Sequence, residues 1–204
     1  YYSNDWTLLK VKNQYYYKNI STKIKLNTKY IYSKGLLENL CFAIKIALNL
    51  GIKESLIKKT IPKIKFEARI QYLNKGKLTN KIKKDETILI DGCHSEISAQ
   101  NLADYLKTLK VPLYGIWSMT KNKDPNKFIS KFKGLFKKVI VVPILNEPAS
   151  LSNKVLFKIA KRNNFNTELA NNFELAIKKI SSKQKKIICI FGSLYLCGNV
   201  LNKN

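Results

Sequence analysis

The sequence predicts an α/β fold with a mostly parallel sheet covered on both faces. From residue 87 onward short apolar runs alternate with amphipathic segments, and each run opens into a loop rich in polar groups. An apolar fraction of 45% over 204 residues is enough for a sizeable core.

Residues 1–32 mix polar with β-favouring residues, among them Trp6, Leu8, Val11, Tyr15 to Tyr17, Ile20, Ile24, Leu26 and Tyr30, which predicts short strands and hairpins. The period then changes. Leu36, Leu37, Leu40, Cys41, Ile44, Leu48 and Leu50 recur at helical spacing and Gly51 closes the segment. A second helix is expected over 54–60, ending before Pro62. The polar stretch 74–86 separates two domains, 1–72 and 73–204. After it come strand 87–90 and helix 96–109, strand 113–117 and helix 125–132, strand 138–143 with helices 152–161 and 172–180, and strand 186–191 leading through Gly192-Ser193 into a last apolar helix. This describes a Rossmann-like domain of ordinary size.

The net charge of +25, from 38 basic and 13 acidic residues, raises a nucleic-acid reading, since lysine and arginine neutralise phosphates. The lysines are spread over every segment and accompanied by abundant Asn and Ile, a compositional drift rather than a basic patch. Against that drift the only arginines, Arg69 and Arg162, are informative. Arg69 is a candidate for a forked phosphate or carboxylate contact, with a surface ion pair as the alternative. Arg162, among Lys161, Asn163 and Asn164 near a helix end, reads as solvated.

Cys41, Cys93, Cys189 and Cys197 lack metal-ligand spacing and, with one histidine, make a poor zinc set; three of them lie in apolar runs as small core residues. No metal site is assigned. No apolar stretch approaches the roughly 18 residues of a membrane span and no signal-peptide pattern opens the sequence, so a reduced, cytoplasmic protein is expected. The only methionine is Met119, and an opening of Tyr1-Tyr2-Ser3-Asn4-Asp5-Trp6 reads as the interior of a longer protein.

The strongest site signal is Ile88-Leu89-Ile90-Asp91-Gly92-Cys93-His94-Ser95-Glu96, an apolar strand that delivers Asp91 and the single histidine, His94, to a helix start. That is the carboxyl edge of a parallel sheet, where open α/β proteins bind ligands. Asp91 suits a ribose or a cationic group. His94 suits a phosphate or base, with capping or packing as the alternative. Ser95 can cap the following helix. Glu96 complements the helix dipole while weakening that terminus as an anion site. No Gly-x-x-x-x-Gly-Lys-Ser/Thr loop occurs, so a triphosphate cradle would have to come from elsewhere.

Six segments occur in order: Gly35-Leu36-Leu37-Glu38-Asn39, Glu67-Ala68-Arg69-Ile70-Gln71, Ile90-Asp91-Gly92-Cys93-His94, Ser118-Met119-Thr120-Lys121-Asn122-Lys123-Asp124-Pro125, Asn146-Glu147-Pro148-Ala149-Ser150-Leu151-Ser152 and Phe191-Gly192-Ser193-Leu194-Tyr195-Leu196. Together they resemble the C-terminal half of dihydrofolate synthase/folylpolyglutamate synthase, of the Mur-ligase superfamily. The resemblance implies the tail of a P-loop-type ATP-binding domain followed by a Rossmann-like C-terminal domain. It implies a ligase that uses ATP and Mg²⁺ to phosphorylate a pterin-linked carboxylate, which the amine of L-glutamate then attacks. It further implies Asn39, Arg69 and Asp91 as nucleotide contacts with His94 beside them as the catalytic candidate, a monomer with small-molecule partners, and an inactive fragment when alone. The family's usual Asp-Gly-Ala-His-Asn-Pro reads Asp91-Gly92-Cys93-His94-Ser95-Glu96 here, and the turn before Asn39 shows Leu36-Leu37 in place of His-Gln. A cell-wall amino-acid ligase of the same superfamily is the nearest alternative, and a basic nucleic-acid-binding module the alternative from another class.

Overall fold

The computed structural model describes residues 5–204; residues 1–4, the start of the stretch expected to form strands, lie outside the described residues. The chain divides into two compact units, Tyr1–Glu67 and Ala68–Asn204. The division falls a few residues before the polar stretch because Gln71–Leu73 pairs with a strand of the second unit.

In the first unit, β1 (Trp6–Val11), β2 (Gln14–Asn19) and β3 (Lys23–Lys25) form an antiparallel sheet in the order β1-β2-β3. α1 (Lys34–Asn49) follows, capped by the Ser33 hydroxyl, which accepts from the Leu36 amide at 3.3 Å. Its apolar stripe buries Leu37, Leu40, Cys41 and Ile44 in one core with Trp6, Tyr17 and Ile24. Gly51 takes a left-handed φ of 76° just past its end. α2 (Glu54–Thr60) gives way to a 3-10 turn, Ile61–Lys63, at Pro62, which has no N–H to continue the helix.

The second unit holds a six-stranded sheet. Its strands are β4 (Gln71–Leu73), β5 (Glu86–Asp91), β6 (Leu113–Trp117), β7 (Phe136–Val141), β8 (Thr167–Leu169) and β9 (Lys186–Phe191), in the order β4-β5-β9-β6-β7-β8. Only β4 runs antiparallel. Its helices are α3 (Glu96–Lys107), α4 (Pro125–Ser130), α5 (Asn153–Arg162), α6 (Phe173–Ile180) and α7 (Leu194–Lys203).

Both faces are covered, as the apolar strands require. Leu89 joins a core with Ala99, Leu102, Phe128 and Leu156 of α3, α4 and α5, whereas Ile88 and Ile90 join one with Phe173, Ala176, Leu196 and Cys197 of α6 and α7. This alternation along β5 is the period of two that assigns successive side chains to opposite faces. At the amino edge, Glu86 and Lys186 form a buried ion pair at 3.5 Å between β5 and β9. All four cysteines are free and buried, including Cys93. Arg162 is exposed at the end of α5. Among the described residues no helix is long and apolar enough to cross a membrane.

Candidate functional site

Parallel pairing brings the carboxyl ends of four strands to one edge. Asp91 pairs with Phe191, Phe191 with Trp117, and Trp117 with Val141, so β5, β9, β6 and β7 end in one row. The loops that follow all open there. Two of them are joined by backbone: the Lys121 amide donates to the Ala149 carbonyl and the Leu151 amide to the Met119 carbonyl, both at 2.8 Å, with a Thr120–Ser150 bridge between. Lys121 Nζ adds a hydrogen bond to the Pro148 carbonyl at 3.2 Å. Gly192, at φ 103°, lets the end of β9 lie against Trp117 and the Ser118 carbonyl, where a Cβ would intrude.

Asp91 is the hub of this edge. Its Oδ1 accepts the Cys93 amide and its Oδ2 the Ile70 amide, both at 2.8 Å, and it is 5% exposed. Burial pushes its carboxyl above the ordinary aspartate value. The Ile70 and Cys93 amides, the Cys93 thiol and the Arg69 charge pull it back without cancelling the rise. Cys93, where the family pattern has alanine, is 1% exposed, and burial followed by the Asp91 charge holds its thiol well above the ordinary value. A thiol so held is not a nucleophile; it packs in the core with Leu89 and Ala99.

His94 is half-buried beside it. Its Nδ1 lies 2.9 Å from the Gly92 carbonyl. A carbonyl can only accept, so Nδ1 carries a proton, and among the described residues Nε2 has no hydrogen-bond partner. Ser95 caps α3 as expected, and Ser98 returns the bond as the third-position partner, a serine in the place of the usual Glu or Gln. Glu96 does not stand as an isolated charge over that terminus: it pairs with Lys131 at 2.8 Å.

Arg69 sits on the turn that Asp91 grips. Among the described residues no carboxylate lies within 4.0 Å of its guanidinium, so the surface ion pair weighed for it is not formed. Its flanking residues, Ala68 and Ile70, both have left-handed backbones, at φ 53° and 47°. Arg69 and His94 thus lie on two segments of the second unit, each next to a residue, Ile70 or Cys93, whose amide Asp91 accepts. Asn39 belongs to the first unit, where it is exposed on α1 and lines a shallow hollow of about 260 Å³ with Trp6, Glu38 and Phe42.

Three side chains at the edge have roles that the sequence did not disclose. Ser118 Oγ and Trp117 Nε1 are buried and, among the described residues, without a hydrogen-bond partner. Gln71 Oε1 accepts the Ala68 amide at 2.7 Å. The Gln71 role has no sequence signal, because it depends on the left-handed backbone of the turn between the two residues. Among the described residues no group of three or more His, Cys, Asp or Glu side chains could hold a metal ion.

No curated protein matches the chain in sequence. Among solved structures, folylpolyglutamate synthase of Mycobacterium tuberculosis, complexed with ADP and AMPPCP, is similar over 98% of this chain and 48% of its own, at a TM-score of 0.82 and 15% identity. The Thermotoga maritima folylpolyglutamate synthase is similar over 98% and 47%, at 0.74 and 23%. E. coli FolC in complex with DHPP and ADP is similar over 98% and 46%, at 0.79 and 14%. The chain thus spans about half the length of the solved structures it matches, and at these identities they show the fold alone. The sequence pattern described as dihydrofolate synthetase, C-terminal domain, matches residues 71–203, and the chain belongs to that family.

Proposed function

We propose that this chain is the C-terminal half of an ATP-dependent ligase that adds L-glutamate to dihydropteroate, to folate polyglutamate, or to both. The enzyme would act as a cytoplasmic monomer. ATP supplies the chemistry by converting the pterin-linked carboxylate into an acyl phosphate. The glutamate amine attacks that carbonyl, the C–O bond to phosphate breaks, and an amide and inorganic phosphate result, with one amine proton to be removed.

The residues of this chain take defined parts. Arg69, without an ion pair among the described residues, binds the nucleotide phosphates, with Asn39 and Asp91 as further nucleotide contacts. His94, with Nδ1–H fixed on the Gly92 carbonyl, offers Nε2 to accept the amine proton. The phosphate cradle and the Mg²⁺ ligands come from outside residues 1–204, so the chain alone is expected to be inactive. The observation that carries this reading is the Asp91 carboxylate holding the turn that bears Arg69 at the carboxyl edge of a parallel sheet. The similarity to synthases solved with ADP, DHPP or AMPPCP supports it.

The test is glutamate-dependent phosphate release from ATP, with dihydropteroate or a folate as acceptor, by the ligase that carries this chain. His94→Ala is expected to lower kcat by roughly 10²-fold or more, and Arg69→Ala to raise the KM for ATP by roughly tenfold or more. Unchanged kinetics in both variants would remove the assignment.

A further inference from the structure

We propose that Gln71 is a positioning residue for the Arg69 guanidinium. The proposal rests on the reading of Arg69 as a nucleotide contact and concerns how that contact is built. A positive φ is uncommon for any residue but glycine, and for a β-branched residue such as Ile70 it is an outlier. Here two such residues, Ala68 and Ile70, flank Arg69, so the backbone that carries the arginine is strained on both sides. Strain of this kind persists only where neighbouring structure over-determines it.

Three hydrogen bonds do so. The Ala68 amide donates to Gln71 Oε1 at 2.7 Å, the Ile70 amide to Asp91 Oδ2 at 2.8 Å, and the Gly92 amide to the Ala68 carbonyl at 2.8 Å. Gln71 opens β4 and is paired with Ile90, the residue before Asp91. The antiparallel edge strand therefore sets two side-chain acceptors, one from each strand, on the two amides that bracket Arg69. A long side chain gains affinity only as far as its base is fixed beforehand. Without the Gln71 acceptor the Ala68 amide is orphaned, the turn relaxes towards negative φ, and the guanidinium loses its aim.

The experiment uses the ligase that carries this chain and compares Gln71→Leu, Gln71→Glu, Arg69→Ala and the Gln71→Leu/Arg69→Ala double variant. Gln71→Leu is expected to raise the KM for ATP by roughly tenfold with kcat changed by less than about threefold. Gln71→Glu keeps an acceptor oxygen at the same reach and restores the parental KM. In the Arg69→Ala background Gln71→Leu adds less than about twofold, because the group it aims is gone. If Arg69→Ala raises the KM but Gln71→Leu does not, or if the two effects simply multiply, the positioning role is refuted and the nucleotide reading stands. If Arg69→Ala leaves the KM unchanged, the nucleotide reading fails and takes this proposal with it. Should Gln71→Leu not fold, Gln71→Ser, too short to reach the Ala68 amide, replaces it with the same expected outcomes.

Discussion

The Asp91 carboxylate accepts the Ile70 amide at 2.8 Å across 21 residues of chain, joining the end of the strand that presents the site to the turn that carries Arg69. The carboxyl is 5% exposed, and burial raises it over the ordinary aspartate value although this bond pulls the other way. A raised carboxyl binds its proton more tightly in the folded chain than in the unfolded one. Stability is then greatest below the unfolded value and falls as pH rises through the window up to the folded value. Urea denaturation across that window should show the parent losing stability relative to Asp91→Asn. A difference that grows in the parent's favour with rising pH would contradict the burial argument.

The left-handed backbone of Ala68 gives a second prediction. At φ 53° a side chain costs about 1–2 kcal/mol relative to glycine. Removing a buried methyl costs about 0.8 kcal/mol, and glycine's extra freedom about 0.5 kcal/mol. The terms nearly cancel, so Ala68→Gly should lie within about 0.5 kcal/mol of the parent. Ala103→Gly, equally buried but inside α3, has no strain to relieve and should cost about 1–2 kcal/mol by denaturant melting. Equal losses in the two variants would mean that the Ala68 turn is not strained.

The contrast between these alanines also marks what the sequence discloses. Ala103 falls on a helical stripe, and α3, β6 and β9 stand where period and apolar runs predict them, because those signals are local. The short strands β4 and β8 carry no such signal: Gln71–Leu73 and Thr167–Leu169 are strands only because a neighbouring edge offers them partners. The same holds at the site. Asp91 and His94 are legible as polar groups ending an apolar strand, and Arg69 through its scarcity. Gln71 is not, since an acceptor three residues past an amide means nothing until the turn between them is seen to be left-handed.

The buried pair at the opposite edge is predicted to govern acid stability. Burial raises the Glu86 carboxyl, but the Ser181 hydroxyl, the Lys83 and Ser182 amides and the Lys186 ammonium outweigh it, so Glu86 titrates below the ordinary glutamate value. Its stabilisation is present above the unfolded value and lost as pH falls through the folded one. Near neutral pH Glu86→Gln should cost about 3–5 kcal/mol, because it strands the Lys186 charge and turns an amide donor towards other donors. Glu86→Gln/Lys186→Met should be less destabilised than Glu86→Gln alone. The opposite order would show that Lys186 does not depend on Glu86.

Gly192 separates backbone conformation from steric fit. At Gly134, φ 77°, an added Cβ meets nothing within 4 Å, so Gly134→Ala should cost only the left-handed penalty of about 1–2 kcal/mol. At Gly192, φ 103°, the same atom would lie 2.7 Å from Trp117 Cδ1 and closer still to the Ser118 carbonyl oxygen. Trp117 is fully buried between Phe128 and the rest of the aromatic core, and the Ser118 oxygen is backbone, so neither can yield without moving the end of β6. Gly192→Ala should therefore lose at least about 2 kcal/mol more than Gly134→Ala in denaturant unfolding. The displaced segment lies between the β5 and β7 loops, so on the proposed nucleotide reading Gly192→Ala should also weaken ATP binding by the ligase, while Gly134→Ala keeps the parental value. If the two alanines cost the same, the close approach of β9 to β6 is not what shapes this edge.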